Sequence, residues 1–314
     1  MIHLRWDLCC KYAPSGAFYT KPGQHCTSAA HPKGSDFLSE LHFHMDQPHP
    51  MPLEQFLRRH KGVSHRMLVR LKRIPGGICC NGAPIRTIDP VQPGDEIVLT
   101  DREAGSALVP SAAAVPILGE TDSYIVYNKP AHMPVHPSQG HHDDTLGNVF
   151  AAQFPHLPFR PVYRLDSGTS GICLIAKSAY AAKLLQGSTQ KTYFALVWGV
   201  LSAGGTISAP IGREDGSVIR RCVRRDGKPA VTHYTPLRHN ARYTLLSLEL
   251  ETGRTHQIRV HMAYLGHPLA GDTLYGGTGE FSHHMLHCGT LEFSDPETGA
   301  LRRFAAPWAA EKLL

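Results

Sequence analysis

The 314-residue sequence contains no apolar run of the ~18 residues that a membrane-spanning helix needs, so no membrane span is expected. Its start, MIHLRWDLCCKY, lacks a basic stretch followed by a long apolar one, so no secretory signal is expected either. Charged residues are modest at 18% against 42% hydrophobic, which is enough apolar material for a core and excludes disorder by composition. Cysteine is present eight times, but no C-x-x-C occurs. Two pairs are adjacent in sequence (Cys9–Cys10 and Cys79–Cys80), and Cys173 lies inside an apolar run. That usage reads as reduced thiols in a cytoplasmic protein. Histidine is abundant at 21, yet no H-E-x-x-H, Cys/His quartet or matched carboxylates accompany His42, His44, His141 and His142, and no metal site is expected. The phosphate-binding G-x-x-x-x-G-K-[ST] and the G-x-S-x-G nucleophile elbow are also missing. A net charge of +6 is mildly basic and does not by itself establish a nucleic-acid partner.

What is present is uneven along the chain. Residues 1–50 show no sustained period and read as a mobile extension, with LSELHFHM (38–45) as one edge strand. From 51, Leu53, Phe56 and Leu57 take i, i+3, i+4 spacing, an amphipathic helix. Ser64 is a suitable N-cap for a second helix, HRMLVRLKR. GGICCNGAPIR then predicts a hairpin turning at Asn81–Gly82, and VQPGDEIVLT a further strand. Arg58, Arg59, Lys61, Arg66, Arg70, Lys72 and Arg73 crowd this piece without an acid between them. A charge run is usually a solvated face, but like charges on two short helices repel, and a polyanion is the natural counterpart. Residues 104–118 are small and Pro-containing, a linker. Beyond it SYIVYNKP, ICLIAKS, KTYFALVWG, VTHYTPLR and YTLLSLELET read as strands. SAYAAKLLQGS and THQIRVHMAYLG read as helices, the latter stopped by Gly266. Strands outnumber helices, and the expected class is α+β with a mixed, largely antiparallel sheet.

Four stretches carry candidate chemistry. In YRLDSGTSG, Arg164 and Asp166 flank one leucine at the mouth of a buried strand. An Asp among glycines and serines is most often a turn or cap residue. In ETGRTHQIRVHMAYLGHPLAGDTLYGG, Arg254, His256, Arg259 and His261 gather around a helix start. An Arg on such a helix is usually exposed; its alternative is to hold a carboxylate ionised in an apolar cleft, as a nucleophilic Asp requires. Tyr193 in QKTYFALVWG reads first as a core aromatic, though a site tyrosine also stacks on bases and carries protons. YNKPAHMPVHPS, with Lys129 and His136, is a loop after a strand.

Taken together, the order and wording of these stretches resemble the RluA-type pseudouridine synthases. That family carries KP…HP, HRLDxxTSG, KxYxAxVxG and GRTHQIRVHxxxxGHPxxGDxxYG, and here the four run from Lys129 to Pro137, Arg164 to Gly171, Lys191 to Gly199 and Gly253 to Gly276. The tail HMLHCGTLEFSDPETG is similar to the family's LHAxxLxFxHPxTG ending. Residues 51–103 resemble an S4 RNA-binding domain, small and α/β, which often precedes this catalytic domain (119–314 here). The resemblance implies an isomerase that converts uridine in RNA to pseudouridine without a cofactor. Asp166 would be its nucleophile or base, Arg259 the arginine that pairs with it, and Tyr193 the tyrosine that stacks on uracil. It also implies RNA contact by Arg164, Thr169, Ser170, Gly171, Lys129, His136, Arg254 and His256. On the S4-like piece the contacts would be Arg66, Arg70, Lys72 and Arg73. A second basic segment, SVIRRCVRRDGK, adds Arg220 and Arg221 as backbone contacts.

The chain departs from the pattern at Tyr163, where His is usual, at His132 for Gly, and at Cys288 and Asp295 for Ala and His. Structured RNA is the expected partner, with no DNA and no membrane, and a monomer is expected. Large-subunit ribosomal RNA is favoured over tRNA by the S4-like piece alone. A non-catalytic RNA-binding assembly factor is the competing class. A carboxylate glycosidase would need a second acid in the Asp166 motif, which has none.

Overall fold

In the computed structural model, residues 37–103 and 105–313 are described. Most of the expected extension, 1–36, lies outside them, as do Cys9, Cys10 and Cys26.

The first lobe is a small antiparallel sheet with two short helical segments. β1 (Phe37–His44) lies at the sheet edge. A helical turn over Leu53–Gln55 runs on as a π-turn, Phe56–His60, instead of a regular helix. The expected apolar face survives the change, with Leu53, Phe56 and Leu57 all fully buried. α1 (His65–Leu71) starts where Ser64 accepts from the Met67 amide at 3.1 Å. β2 (Ile78–Cys80) and β3 (Ala83–Pro84) form the hairpin around Asn81–Gly82, and β4 (Glu96–Glu103) completes the order β1-β4-β2-β3. β1 pairs with β4 from Phe37↔Glu103 to His44↔Glu96. This corrects the expected boundary: the lobe starts by Phe37, not Met51, because its sheet is incomplete without β1.

The expected linker is less free than its composition suggests. From 105 to 116 it has no regular structure and its last two residues open a strand, but Asn148 donates to the Val109 carbonyl at 2.7 Å, and Val115 is buried.

The second lobe is built on one ten-stranded sheet. In chain order its strands include β5 (Ile117–Glu120), β6 (Tyr124–Lys129), β7 (Ser170–Ala176), β8 (Gln190–Trp198), β9 (Gly205–Ser208), β10 (Val231–His239), β11 (Tyr243–Leu250), β12 (Leu286–Ser294) and β13 (Leu301–Ala305). The path is β9-β10-β11-β8-β12-β7-β6-β5; β13 pairs with β12, and Arg160–Pro161 with β7. Among the described residues every pairing in this sheet is antiparallel except β7 with β12, at Ser170↔His287 and Gly171↔Cys288. α2 (Leu146–Gln153), α3 (Ala179–Ser188) and α4 (Gln257–Tyr264) complete the lobe. The class is α+β, as the excess of short strands implies. ICLIA is the buried centre of β7, with Ile172 through Ala176 all inaccessible.

Candidate active site

The single parallel step explains why so little side-chain bulk precedes β7. Gly171 has φ +108°, and a Cβ there would lie 2.3 Å from the Cys288 carbonyl oxygen. A larger residue would push β7 off β12, so the glycine serves the sheet and not a nucleotide, a correction to its expected RNA contact. The preceding loop is tied down on every side. The Thr169 amide donates to the Asp166 carbonyl at 3.0 Å, closing a turn. Thr169 is buried, its Oγ1 2.8 Å from His284 Nε2. Ser170 Oγ lies 2.8 Å from His287 Nδ1, and His287 Nε2 is 3.0 Å from the Ala306 carbonyl. A carbonyl only accepts, so Nε2 carries the proton and Nδ1 accepts from the serine.

Lys129 is wholly buried and donates to the carbonyls of Pro130, Met133 and Ser167 at 2.8, 2.7 and 3.2 Å. Burial lowers its pKa to about 8, and Asp166 is among the charges that oppose the shift. With all three protons donated and no exposed surface, Lys129 braces the Asp166 loop; like Thr169, it is removed from the expected RNA contacts.

The loop therefore presents one acid. Asp166, 29% exposed, faces Arg259 of α4, whose Nη1 donates to Asp166 Oδ2 at 3.2 Å. Arg259 has a closer partner that the sequence reading missed. Its Nε and Nη2 donate to both oxygens of Asp272 at 2.7 and 2.9 Å, in the bidentate geometry that suits a guanidinium. Burial disfavours the Arg259 charge, but Asp272 and then Asp166 outweigh it and raise its pKa. Asp272 thus fixes the guanidinium, and the remaining nitrogen fixes Asp166. The available signal was the motif itself, whose GDxxYG carries an Asp 13 residues beyond Arg259, and a buried guanidinium's remaining donors need acceptors.

His256 stands at the start of α4 with φ +57°. Its Nδ1 lies 2.7 Å from the Tyr275 hydroxyl, which accepts from the Arg221 amide at 2.9 Å. The other ring nitrogen, Nε2, lies 3.8 Å from Asp166 Oδ2, so the imidazole bridges the tyrosine and the acid. Burial lowers its pKa, against the pull of Asp166. Tyr193 is buried beneath the same cleft. Burial first, then Cys288 and Asp166, hold its pKa well above the ordinary value, so it remains a phenol. Tyr163, the substitute for the usual His, donates to the Ile172 carbonyl at 3.0 Å, and Lys191 Nζ sits 4.3 Å from its ring centroid.

Asp166 and Tyr193 open into a cleft of about 1120 Å³ that is also lined by Arg164, Lys191, Arg254 and His136. That is at the upper edge of the ~300–1,000 Å³ typical of small-molecule sites, room enough for a nucleotide. Arg164 is exposed and makes no ion pair among the described residues. Arg254 donates from Nε to the Pro229 carbonyl at 2.9 Å, and His136 packs edge-on against Phe159.

The second basic segment lies on a hairpin that pairs Ile211–Arg213 with Arg221–Val223, and Arg220 and Arg221 are already engaged. Arg220 pairs with Glu214 at 2.9 Å, and Arg221 Nη1 donates to three carbonyls of its own turn. In the small lobe Arg70 pairs with buried Asp101, while Arg66, Lys72 and Arg73 are exposed. Of the histidines once weighed for metal, His42 lies 3.4 Å from both Glu40 and Glu96, and His141 lies 2.6 Å from Asp144.

Comparison with known proteins gives this geometry a context. Residues 123–264 match the family described as RNA pseudouridylate synthase. An uncharacterised RNA pseudouridine synthase of Bacillus subtilis is 40% identical over 256 residues, covering 74% of this chain and 82% of the relative. The chain belongs to the RluA-type RNA pseudouridine synthases. Proteins named ribosomal large subunit pseudouridine synthase D are 37% identical in Pseudomonas aeruginosa (74% of this chain, 80% of theirs) and 38% in Vibrio cholerae (76% and 82%). The structure of human RNA pseudouridylate synthase domain containing 1 superposes with a TM-score of 0.54 at 28% identity, over 62% of this chain and 84% of that one. The pseudouridine synthase isomerises uridine in RNA: the N1–C1′ bond breaks, C5–C1′ forms, the C5 hydrogen leaves as a proton, and N1 takes up a proton.

Proposed function

We propose that this synthase modifies uridines of large-subunit ribosomal RNA, with Asp166 as the group that acts on the target nucleotide. One observation carries the second half. Asp166 is the acid that the braced loop turns into the cleft, paired through Arg259 Nη1. The guanidinium orients the carboxylate from one side and leaves its other oxygen to face the nucleotide, the arrangement that both addition to the nucleotide and removal of a sugar proton call for. Tyr193 offers a flat face to the uracil and a retained phenolic proton for a donor. The target base must leave its stack, at a cost of a few kcal/mol that stacking and phosphate contacts offset.

The ribosomal substrate is supported by the names of the Pseudomonas and Vibrio relatives. An S4-like RNA-binding lobe over residues 37–103, a connector to 118 and a catalytic domain over 119–314 complete the reading, for a protein that works as a cytoplasmic monomer on RNA and not on DNA or membranes. Among the described residues no helix is long and apolar enough to cross a membrane.

Tritium release tests it. Ribosomal RNA and tRNA transcripts carrying C5-tritiated uridine are incubated with wild type and with Asp166→Asn. Wild type is expected to release tritium from the ribosomal fragment. The variant should lose at least ~10³-fold in rate while still binding, as removal of a reacting group does. Release from tRNA alone overturns the substrate, and full turnover by the variant overturns the role of Asp166.

A further inference from the structure

A second concavity lies beside the small lobe. Arg58, Arg59, Ser64 and His65 line it from that lobe, and Lys183 of α3 lines it from the other, around about 820 Å³. Glu54 is the single acid of its lining, 3.4 Å from Arg58 and 3.7 Å from His65. Arg59 and Lys183 are exposed and make no ion pair among the described residues. The groove therefore carries surplus positive charge on both walls, which suits a phosphate backbone.

α3 joins this groove to the active-site cleft. Gln186 follows Lys183 by three residues, so the two share a helix face about 4.5 Å apart along the axis. Gln186 is exposed and lines the Asp166 cleft together with Thr189 and Gln190. One continuous helix face thus leads from the rim of the Asp166 cleft to the basic groove.

The two lobes are also fixed against each other along α3. Tyr180 donates its hydroxyl to the Lys61 carbonyl at 2.7 Å and meets Phe43 edge-on at 5.6 Å. Its ring packs against the small lobe's apolar core. Leu184 also packs on Gly62, its Cδ2 lying 2.9 Å from the place a Cβ there would occupy. The distance from groove to cleft is set by these contacts and not by a swinging connector.

We propose that this face of α3 is an RNA track. The strand flanking the target uridine leaves the cleft past Gln186, passes Lys183, and places its phosphates against Arg58 and Arg59. The inference rests on the synthase reading above and adds where the flank of the substrate runs. Tyr180 acts as the positioning residue that keeps both halves of the track in register.

The test uses the full chain and two RNAs containing the same target, a long ribosomal fragment and a stem-loop trimmed to fill only the cleft. Lys183→Glu is expected to raise KM for the long RNA about tenfold, so that the long-to-short ratio of kcat/KM falls by the same factor. Lys183→Ala should flatten the salt dependence of long-RNA binding by ~0.7 in log–log slope, the share of one single-strand phosphate. A photo-crosslinking phenylalanine analogue at Lys183 and, separately, at Gln186 should mark neighbouring nucleotides of one strand. An unchanged ratio and slope, or crosslinks at Gln186 with none at Lys183, overturns the track. Tritium release by wild type, abolished in Asp166→Asn, keeps the synthase reading standing in that event. Absence of release from wild type removes both.

Discussion

The Asp166 loop and the hairpin over 211–228 both carry Gly and Arg beside strands, and they use their charges in opposite ways. In the loop, the charge that matters is held by partners far along the chain: Arg259 reaches Asp272 across 13 residues and Asp166 across 93. In the hairpin, Arg224 is held by Asp226 and Asp215, only 2 and 9 residues away. The loop's network is buried; the hairpin's is solvated, with Val218 80% exposed at its tip. Charge density in a sequence therefore says little about where charge is spent. Long-range partners locked in a low-dielectric interior make a site, whereas local partners in water mostly neutralise one another.

The sharpest way to break this contrast is to remove one acid from each network. Asp272→Asn strips a charge from a buried guanidinium and is expected to cost about 3 kcal/mol or more in denaturant unfolding, with a matching collapse of tritium release. Asp226→Asn, in solvent, should cost less than ~0.5 kcal/mol. Equal losses in the two variants would mean that burial does not divide them.

A milder perturbation is pH. Burial first, then Arg259, lowers the His284 pKa to about 3 from an ordinary 6.5. The native state keeps this imidazole neutral beside Thr169, while the unfolded chain takes up a proton below about 6.5. Its contribution is whole above that value and is lost as pH falls toward 3, by ~1.4 kcal/mol per unit and so about 2 kcal/mol at pH 5. His284→Gln should flatten the fall of the unfolding midpoint between pH 6.5 and 5. An identical slope in the variant would show that His284 takes up its proton without leaving the fold.

These two networks also mark what the sequence could yield. Periodicity and punctuation located the strands and helices, because burial on one face and an N-cap such as Ser64 are local signals. The fold's central feature was not local. The parallel step at Gly171 depends on Cys288, more than a hundred residues on, and nothing in SGTSG announces it. The motifs pointed to Asp166, Arg259 and Tyr193, which the structure does bring to one cleft with His256 and Arg254. They also drew in Lys129 and Thr169 as RNA ligands, since a motif records that a residue matters without saying which way it faces. Asp272, Tyr275 and His284 were passed over because each gains its meaning from a partner on another element.

The smallest expected effect bears on the hairpin. Arg220 and Glu214 are 2.9 Å apart, with side chains 48% and 38% exposed. Such a pair contributes about 0–1 kcal/mol, so Arg220→Ala should leave the unfolding midpoint nearly unmoved. RNA binding is the more informative readout. With its guanidinium already held by Glu214, Arg220 releases few counterions from RNA, and its loss should change the salt slope by well under ~0.7. Arg164→Ala, which removes a cation with no acid partner among the described residues, should show the full amount. A full change for Arg220 as well would mean that RNA draws the arginine away from Glu214, and the hairpin would then belong with the cleft as a site whose charges are spent on a distant partner.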